Sequence, residues 1–191
     1  KSISEAFIHA GATLQCNVKL KWIHSETIEE KQNSLDEILG GLNGILVAPG
    51  FGSRGIEGKI LAVKYARENQ IPFLGICLGM QCAVIEFARN VLNFKDAHSV
   101  EMMGSTTHPV IDMMETQKHL TNMGGTMRLG AYQCELKKGS KVFEAYGEEL
   151  ISERHRHRYE FNSEYLSQFE AAGMKATGVN PISKLVEVVE I

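Results

Sequence analysis

The stretch IPFLGICLGMQCAVIEFARN, residues 71–90, decides how the chain folds. Pro72 to Ile76 is a short apolar run of the kind that fills a strand covered on both faces. From Leu78 to Leu92 the spacing becomes helical, with Leu78, Cys82 and Ile85 on one face and Val84, Ala88 and Val91 on another. A helix apolar on two sides is a buried one. Between the two lies Gly75-Ile76-Cys77-Leu78-Gly79, the G-x-nucleophile-x-G elbow with cysteine in the nucleophile's place. The turn is sharp, and side chains at its flanks would collide with neighbouring backbone, hence glycine at both. Cys77 then opens a helix, where the dipole and free N–H groups favour a thiolate over a thiol of ordinary pKa, about 8.5. The same five residues also suit a structural cysteine in a strand-to-helix turn. Cys16, Cys82 and Cys134 lack glycine flanks and read as structural.

On the N-terminal side, Gly44 to Ala48 is a second buried-type strand ending at Pro49. Ile56, Ile60 and Val63 follow at helical spacing, and that helix runs to about Asn69. The connecting loop Gly50-Phe51-Gly52-Ser53-Arg54-Gly55 is formally G-x-G-x-x-G, which admits a dinucleotide loop. Pro49 stiffens the turn, and the next strand leads straight into the cysteine elbow. Both features favour the other use of such a loop, a backbone N–H aimed at an oxyanion, with the N–H of Leu78 as the second donor. No Gly-x-x-x-x-Gly-Lys-[Ser/Thr] phosphate loop can be read. Earlier still, Ser2 and Glu5 have the form of a capping box for a helix that Gly11 stops. Leu14 to Ile23 has strand alternation, and Ser25 to Asn43 reads as a connection with a short helix near Leu35 to Leu39. Residues 94–125 read as loops with one short strand at Val110-Ile111. Strands are expected at Thr126–Leu136, Ser152–Phe161, Met174–Val179 and Leu185–Ile191, with a helix at Ser163–Ala172. Strands alternating with helices in the first half predict an α/β fold, a three-layer sandwich around a largely parallel (mixed) central sheet.

Composition narrows the function classes. The 191 residues suit one domain, and 20 Lys+Arg against 23 Asp+Glu, a net charge of −3, argue against a general nucleic-acid binder. Ile71 to Met80 is too short and too interrupted to span a bilayer, and no basic-then-apolar leader opens the chain. The four cysteines form no CxxC pair and have no histidine at zinc spacing, so reduced thiols, a cytoplasmic location and no metal are expected. A chain that begins at Lys1 reads as part of something longer. The run Arg154-His155-Arg156-His157-Arg158-Tyr159 on a strand would put the arginines on one side and His155, His157 and Tyr159 on the other. Such a run is a solvated edge, a grip for a carboxylate or a nucleic-acid contact, and spacing leaves the choice open. The run TNMGGTMRLG, residues 121–130, reads as a turn entering a strand. His9, His24, His98, His108 and His119 are scattered and read as surface or internally satisfied groups.

Four of these runs, VAPGFGSRGIEGK (47–59), GICLGMQ (75–81), GGTMRLG (124–130) and ERHRHRYEFN (153–162), together resemble the class I glutamine amidotransferase domain of the CTP synthase family. The similarity extends over essentially the whole chain. It implies a flavodoxin-like core and a cysteine-based glutaminase. Cys77 would attack the side-chain amide of L-glutamine, giving a γ-glutamyl thioester and ammonia, and water would release glutamate. Gly50 and Leu78 would hold the oxyanion and Gln81 would contact the glutamine, with Glu101 on its ammonium and Arg158 on its carboxylate. Arg54, Gly55 and Glu57 match a lid linked to GTP as allosteric activator. Ammonia would pass to a synthetase domain of the same full-length chain, which uses ATP, UTP and Mg to form CTP. No cofactor is expected in residues 1–191 themselves, no nucleic acid or membrane partner is implied, and the full-length enzyme is expected to be a homo-oligomer. Two departures stand out. The family's Pro-Gly-Gly-Phe-Gly loop is here Ala48-Pro49-Gly50-Phe51-Gly52. No FHPE motif, which carries the family's catalytic His and Glu, follows the VEVVEI strand, so a domain lacking that segment and its first strand is expected. A non-catalytic glutamine-binding module and a γ-glutamyl cysteine hydrolase are the alternatives.

Overall fold

Strand β1 (Ile45–Val47) pairs in parallel with β2 (Phe73–Gly75), Val47 standing opposite Gly75. Helix α4 (Ile56–Glu68) makes the crossover between them, and α5 (Leu78–Asn90) leaves β2 through the elbow. The computed structural model describes residues 1–113 and 127–191. The expectations for His119 and for most of the 121–130 run therefore fall outside the described residues.

Ahead of β1 come α1 (Ser2–Thr13), α2 (Ser25–Glu30) and α3 (Leu35–Leu39). Beyond α5, β3 (His98–Ser99) pairs in parallel with β4 (Pro109–Met113). The second half is antiparallel. Strands β5 (Arg128–Leu136) and β6 (Leu150–His157), joined through α6 (Lys141–Tyr146), form a long ladder that continues to β8 (Lys175–Val179) and β9 (Val186–Glu190). Strand β7 (Tyr159–Phe161) instead pairs with β4, and α7 (Leu166–Ala172) follows it. Among the described residues the ladders group as β1-β2, β3-β4-β7 and β6-β5-β8-β9. The mixed α/β architecture expected from the sequence is thus present, with its parallel pairs, among the described residues, lying ahead of residue 114.

Helix α5 organises the main core. Ten of its 13 residues are buried, so both apolar faces are covered. Phe87 stacks on Phe169 at 5.8 Å between ring centroids, and Phe161 meets Phe169 edge-on at 5.2 Å. A smaller cluster of Ile28, Leu39, Ile45, Ala62 and Ala66 seats α2 and α3 against the outer face of α4.

Three local expectations need correction. The Ser2/Glu5 capping box does not form, because the helix starts at Ser2 with Lys1 as its cap and no side-chain cap bond; Gly11 is buried inside it, and the helix runs on to Thr13. Leu14 to Ile23 forms no strand. Its alternation suits a pleated backbone, but a strand exists only where a neighbour takes up its N–H and C=O groups, and Leu14 and Trp22 are 73% and 69% exposed. The single strand expected over Ser152–Phe161 is broken at Arg158 into β6 and β7, which belong to different sheets.

One charge inside the core matters for stability. Glu86 is completely buried, and Arg67 from α4 grips it with three hydrogen bonds of 2.8 to 3.2 Å, while Asn90 adds a fourth at 3.1 Å. Removing one partner of such a pair strands the other. Arg67→Met is expected to lower the unfolding free energy by about 3–5 kcal/mol in urea titration; a loss below about 1 kcal/mol would show that Glu86 is paid for elsewhere.

Candidate active site

The elbow has the geometry that its glycines imply. Cys77 caps the N-terminus of α5 at φ 57°, ψ −107°, a strained conformation for a residue with a side chain. Strain of this kind persists only where surrounding structure enforces it, and the enforcement is visible. A Cβ on Gly79 would stand 2.1 Å from the carbonyl oxygen of Val47, and one on Gly75 would stand 2.5 Å from the backbone of Gly79. The N–H of Ile76 donates to that same Val47 oxygen at 3.1 Å. Helix start, turn and strand β1 are therefore in direct backbone contact.

Close contact of β1 with the elbow also brings in the loop that follows β1. The N–H groups of Leu78 and Gly50 both lie near the Cys77 sulfur and favour its thiolate. The glycine-rich loop and the start of α5 are thus brought together on the Cys77 sulfur. The displaced proline does not prevent this, since Pro49 is exposed and Gly50 remains beside Leu78.

The thiol itself departs from expectation. Burial pushes the Cys77 thiol above its ordinary value, and the negative charges of Glu160 and Glu101 push the same way. The two backbone N–H groups oppose this without prevailing. A helix N-terminus was expected to lower the value; here loss of water around a half-buried sulfur wins.

Glu101 and Arg158 do come together, although 57 positions separate them in the sequence. Partial burial nudges the Glu101 carboxyl upward, against the pull of the Gly52 N–H and of the Arg158 guanidinium. Arg158 reaches this place because it occupies the break between β6 and β7. Arg154 and Arg156 stay on the exposed face of β6, while His155 is buried. The three arginines thus do not share a face, which corrects the simple alternation. Gln81, 8% exposed, donates its Nε2 to the carbonyl of Tyr159 at 3.2 Å, and its buried Oε1 has no partner among the described residues. It braces the segment carrying Arg158 and keeps one acceptor uncommitted.

The lid residues divide. Arg54 is highly exposed and pairs with Glu26. Gly55 is the buried N-cap of α4 in the left-handed region, φ 67°, with Ser25 where a Cβ would go. Glu57 is tied to Arg89 at 2.8 Å and lies 3.7 Å from His98, and these partners, His98 first, hold its carboxyl down at about 2.

Sequence reading missed a buried charge cluster behind Arg158. Arg128 bonds Glu160 at 2.9 Å and Glu187 at 2.6 Å, with His155 3.5 Å from Glu187. Burial drives Glu160 up to about 7 despite Arg128, whose single positive charge is divided between two carboxylates. Its one sequence signal was a lone glutamate inside the apolar run Val186 to Val189. His155 and His157 are 3.2 Å apart through their Nδ1 atoms, and burial lowers both. Among the described residues neither makes a hydrogen bond to Cys77. Of the remaining described histidines, His98 Nδ1 accepts from the N–H of Ser99 at 2.9 Å and His108 pairs with Asp96 at 2.6 Å, while His9 is exposed on α1. All four cysteines are free, and burial pushes Cys82 to about 12 and Cys134 to about 11. Among the described residues no group of three or more His, Cys, Asp or Glu could hold a metal ion, and no helix is long and apolar enough to cross a membrane.

Because the thiolate is the reactive form, alkylation of Cys77 by iodoacetamide is expected to be slow at pH 7. It should climb as pH rises, with a midpoint above the free-thiol value of about 8.5. A midpoint below about 7 would mean that the N–H groups outweigh burial after all.

Comparison with known proteins agrees with this arrangement. The family model described as "Glutamine amidotransferase class-I" matches residues 1–191. The CTP synthase of Cytophaga hutchinsonii is 66% identical over all of this chain, which covers 35% of that protein. The CTP synthase of Bacteroides fragilis is 61% identical, again over the whole chain and 36% of its own length. The chain thus spans about a third of the curated relatives it matches. Among solved structures, the Trypanosoma brucei CTPS glutaminase domain with bound acivicin superimposes with a TM-score of 0.91 at 37% identity, over 99% of this chain and 74% of that one. A strained cysteine elbow with its facing loop, and likeness at this level along the full length, lead to one conclusion: the chain belongs to the class I glutamine amidotransferase family, and its similarity within that family lies with the glutaminase domains of CTP synthases.

Proposed function

We propose that residues 1–191 hydrolyse L-glutamine as the glutaminase domain of a CTP-forming enzyme. The observation that carries this reading is Cys77 between the N–H groups of Gly50 and Leu78, with Glu101 near enough to act on the sulfur and Arg158 acting in turn on Glu101. The Cys77 sulfur attacks the side-chain carbonyl carbon of glutamine. A C–S bond forms, the carbonyl oxygen becomes an oxyanion, and the two N–H groups hold its charge, each worth about 3–4 kcal/mol in the transition state. Collapse expels ammonia, with a proton supplied to the leaving amine. Water then cleaves the thioester and releases glutamate.

Glu101 takes the substrate ammonium and Arg158 its carboxylate, so an amino acid is selected over a simple amide. The uncommitted Oε1 of Gln81 is the further contact. The elevated thiol has a consequence here. An ammonium placed on Glu101 cancels one of the negative charges that hold Cys77 protonated, so substrate binding itself favours the thiolate. On this reading the general base and its orienting acid, together with the synthetase part that uses ATP, UTP and Mg, belong to the remainder of the longer protein, which works as a homo-oligomer in the cytoplasm.

Arg54, Gly55 and Glu57 form the GTP-responsive segment in this proposal, with divided tasks. Arg54 is the cation that solvent reaches, while Gly55 and Glu57 hold the segment's shape. A cavity of about 460 Å³ opens beside Ser53, Glu57 and His98, but Glu29 also lines it, and two carboxylates disfavour a triphosphate there.

In the full-length enzyme, Cys77→Ala is expected to lower glutamine-supported CTP formation by at least about 1,000-fold and to leave ammonia-supported formation within about twofold. Normal ammonia release from glutamine by that variant would overturn the proposal. Arg54→Ala is expected to cut the activation by GTP about tenfold while sparing the rate without GTP; unchanged activation would remove Arg54 from the segment.

A further inference from the structure

The run GGTMRLG was prominent in the sequence, yet the site described so far gives no task to its arginine. Arg128 is 5% exposed and stands at the start of β5, directly opposite His157. His157 is the last residue of β6, so Arg128 occupies the final rung of the four-stranded sheet before the chain breaks at Arg158. One residue later, β7 has joined the other sheet.

The Arg128 side chain crosses that seam. Its Nη1 donates to Glu160 of β7 at 2.9 Å, and its Nη2 donates to Glu187 of β9 at 2.6 Å. The two carboxylate side chains are 8% and 5% exposed, so water takes little part in the exchange. The guanidinium is further confined 4.4 Å above the ring of Tyr132. A planar fork with several donors can hold two carboxylates in fixed directions, which an ammonium cannot. The residues gripped on the β7 side are those that present the candidate substrate grip. Glu160 follows Tyr159, whose carbonyl receives Gln81, and Tyr159 follows Arg158, which faces Glu101.

We propose that Arg128 is a positioning residue for glutamine recognition: by tying β7 to β9 across the sheet seam, it fixes the break that aims Arg158 at the substrate carboxylate. This rests on the proposed role of Arg158. It adds that the direction of that guanidinium is set by a buried clamp rather than by the strand, since the two sheets share no ladder at that point among the described residues. A displacement of the reacting partners by about 1 Å is enough to cost a large factor in rate.

The test compares two reagents that alkylate the Cys77 thiol in the full-length enzyme. Iodoacetamide needs only a reachable thiol in a folded domain. A chloromethyl ketone built on the glutamine skeleton also needs the grip on carboxylate and ammonium. The readout is the ratio of the two labelling rates. Arg128→Lys is expected to lower that ratio about tenfold, as Arg158→Ala does, and the double variant is expected to fall no further than Arg158→Ala alone. Equal loss with both reagents would assign Arg128 a purely structural role and overturn the proposal. So would an unchanged ratio in Arg128→Lys beside a reduced one in Arg158→Ala. An unchanged ratio in Arg158→Ala would instead overturn the reading of Arg158 on which the proposal rests. If Arg128→Lys fails to fold, Glu187→Gln, which keeps a neutral acceptor for Nη2, is read in the same way and decides the question.

Discussion

The close approach of the α5 N-terminus to strand β1 is the constraint on which the rest of the site depends. Gly79 sits so near the carbonyl of Val47 that no side chain fits between them. Three consequences follow from that single contact. The turn must complete within a few residues, which forces Cys77 to positive φ. The Val47 oxygen, held by the N–H of Ile76, fixes the elbow against the parallel pair β1 and β2. And because Gly50 stands only three residues beyond Val47, its N–H is delivered to the same sulfur that the Leu78 N–H faces. The cysteine and the two N–H groups around its sulfur are thus products of one backbone contact.

Electrostatics around the sulfur work against a resting thiolate. Burial raises the thiol, and Glu160 and Glu101 add to the effect. Glu101 is in turn held between the Gly52 N–H and Arg158. In the proposed function, the ammonium of a bound amino acid would alter the balance by offsetting Glu101, and its carboxylate would engage Arg158. That proposal couples recognition and activation through the same two side chains.

The two halves of the fold contribute differently. The parallel half supplies the elbow, which is main chain in direct contact with β1, and the loop that follows β1. The antiparallel half supplies Arg158, whose place depends on where β6 gives way to β7, while Glu101 lies between β3 and β4. A break between sheets has no hydrogen-bond ladder to define it, so ion pairs inside a dry seam take over that task. This explains the concentration of Arg128, Glu160 and Glu187 at one buried point, where two carboxylates and a guanidinium would otherwise be costly.

Much of the parallel half was legible from residues alone. Apolar runs at Gly44–Ala48 and Pro72–Ile76, helical spacing after each, and glycines at 75 and 79 specify strand, elbow and helix because every one of these signals is local. The loop and Leu78 could be singled out for the same reason, whereas Gly50 in particular came from the family resemblance. Alternation at Leu14 to Ile23 failed, since pairing depends on a neighbour and not on the pattern. The run at 154–159 was equally misleading as one strand, because its break is imposed by which sheet each part joins. By itself the sequence determined the elbow, the cysteine within it and the loop that faces it, where short-range sterics leave little choice. Only the tertiary structure decided the protonation of Cys77, the meeting of Glu101 with Arg158 and the Arg128 clamp, because burial and charge at a point are summed over segments far apart in the chain.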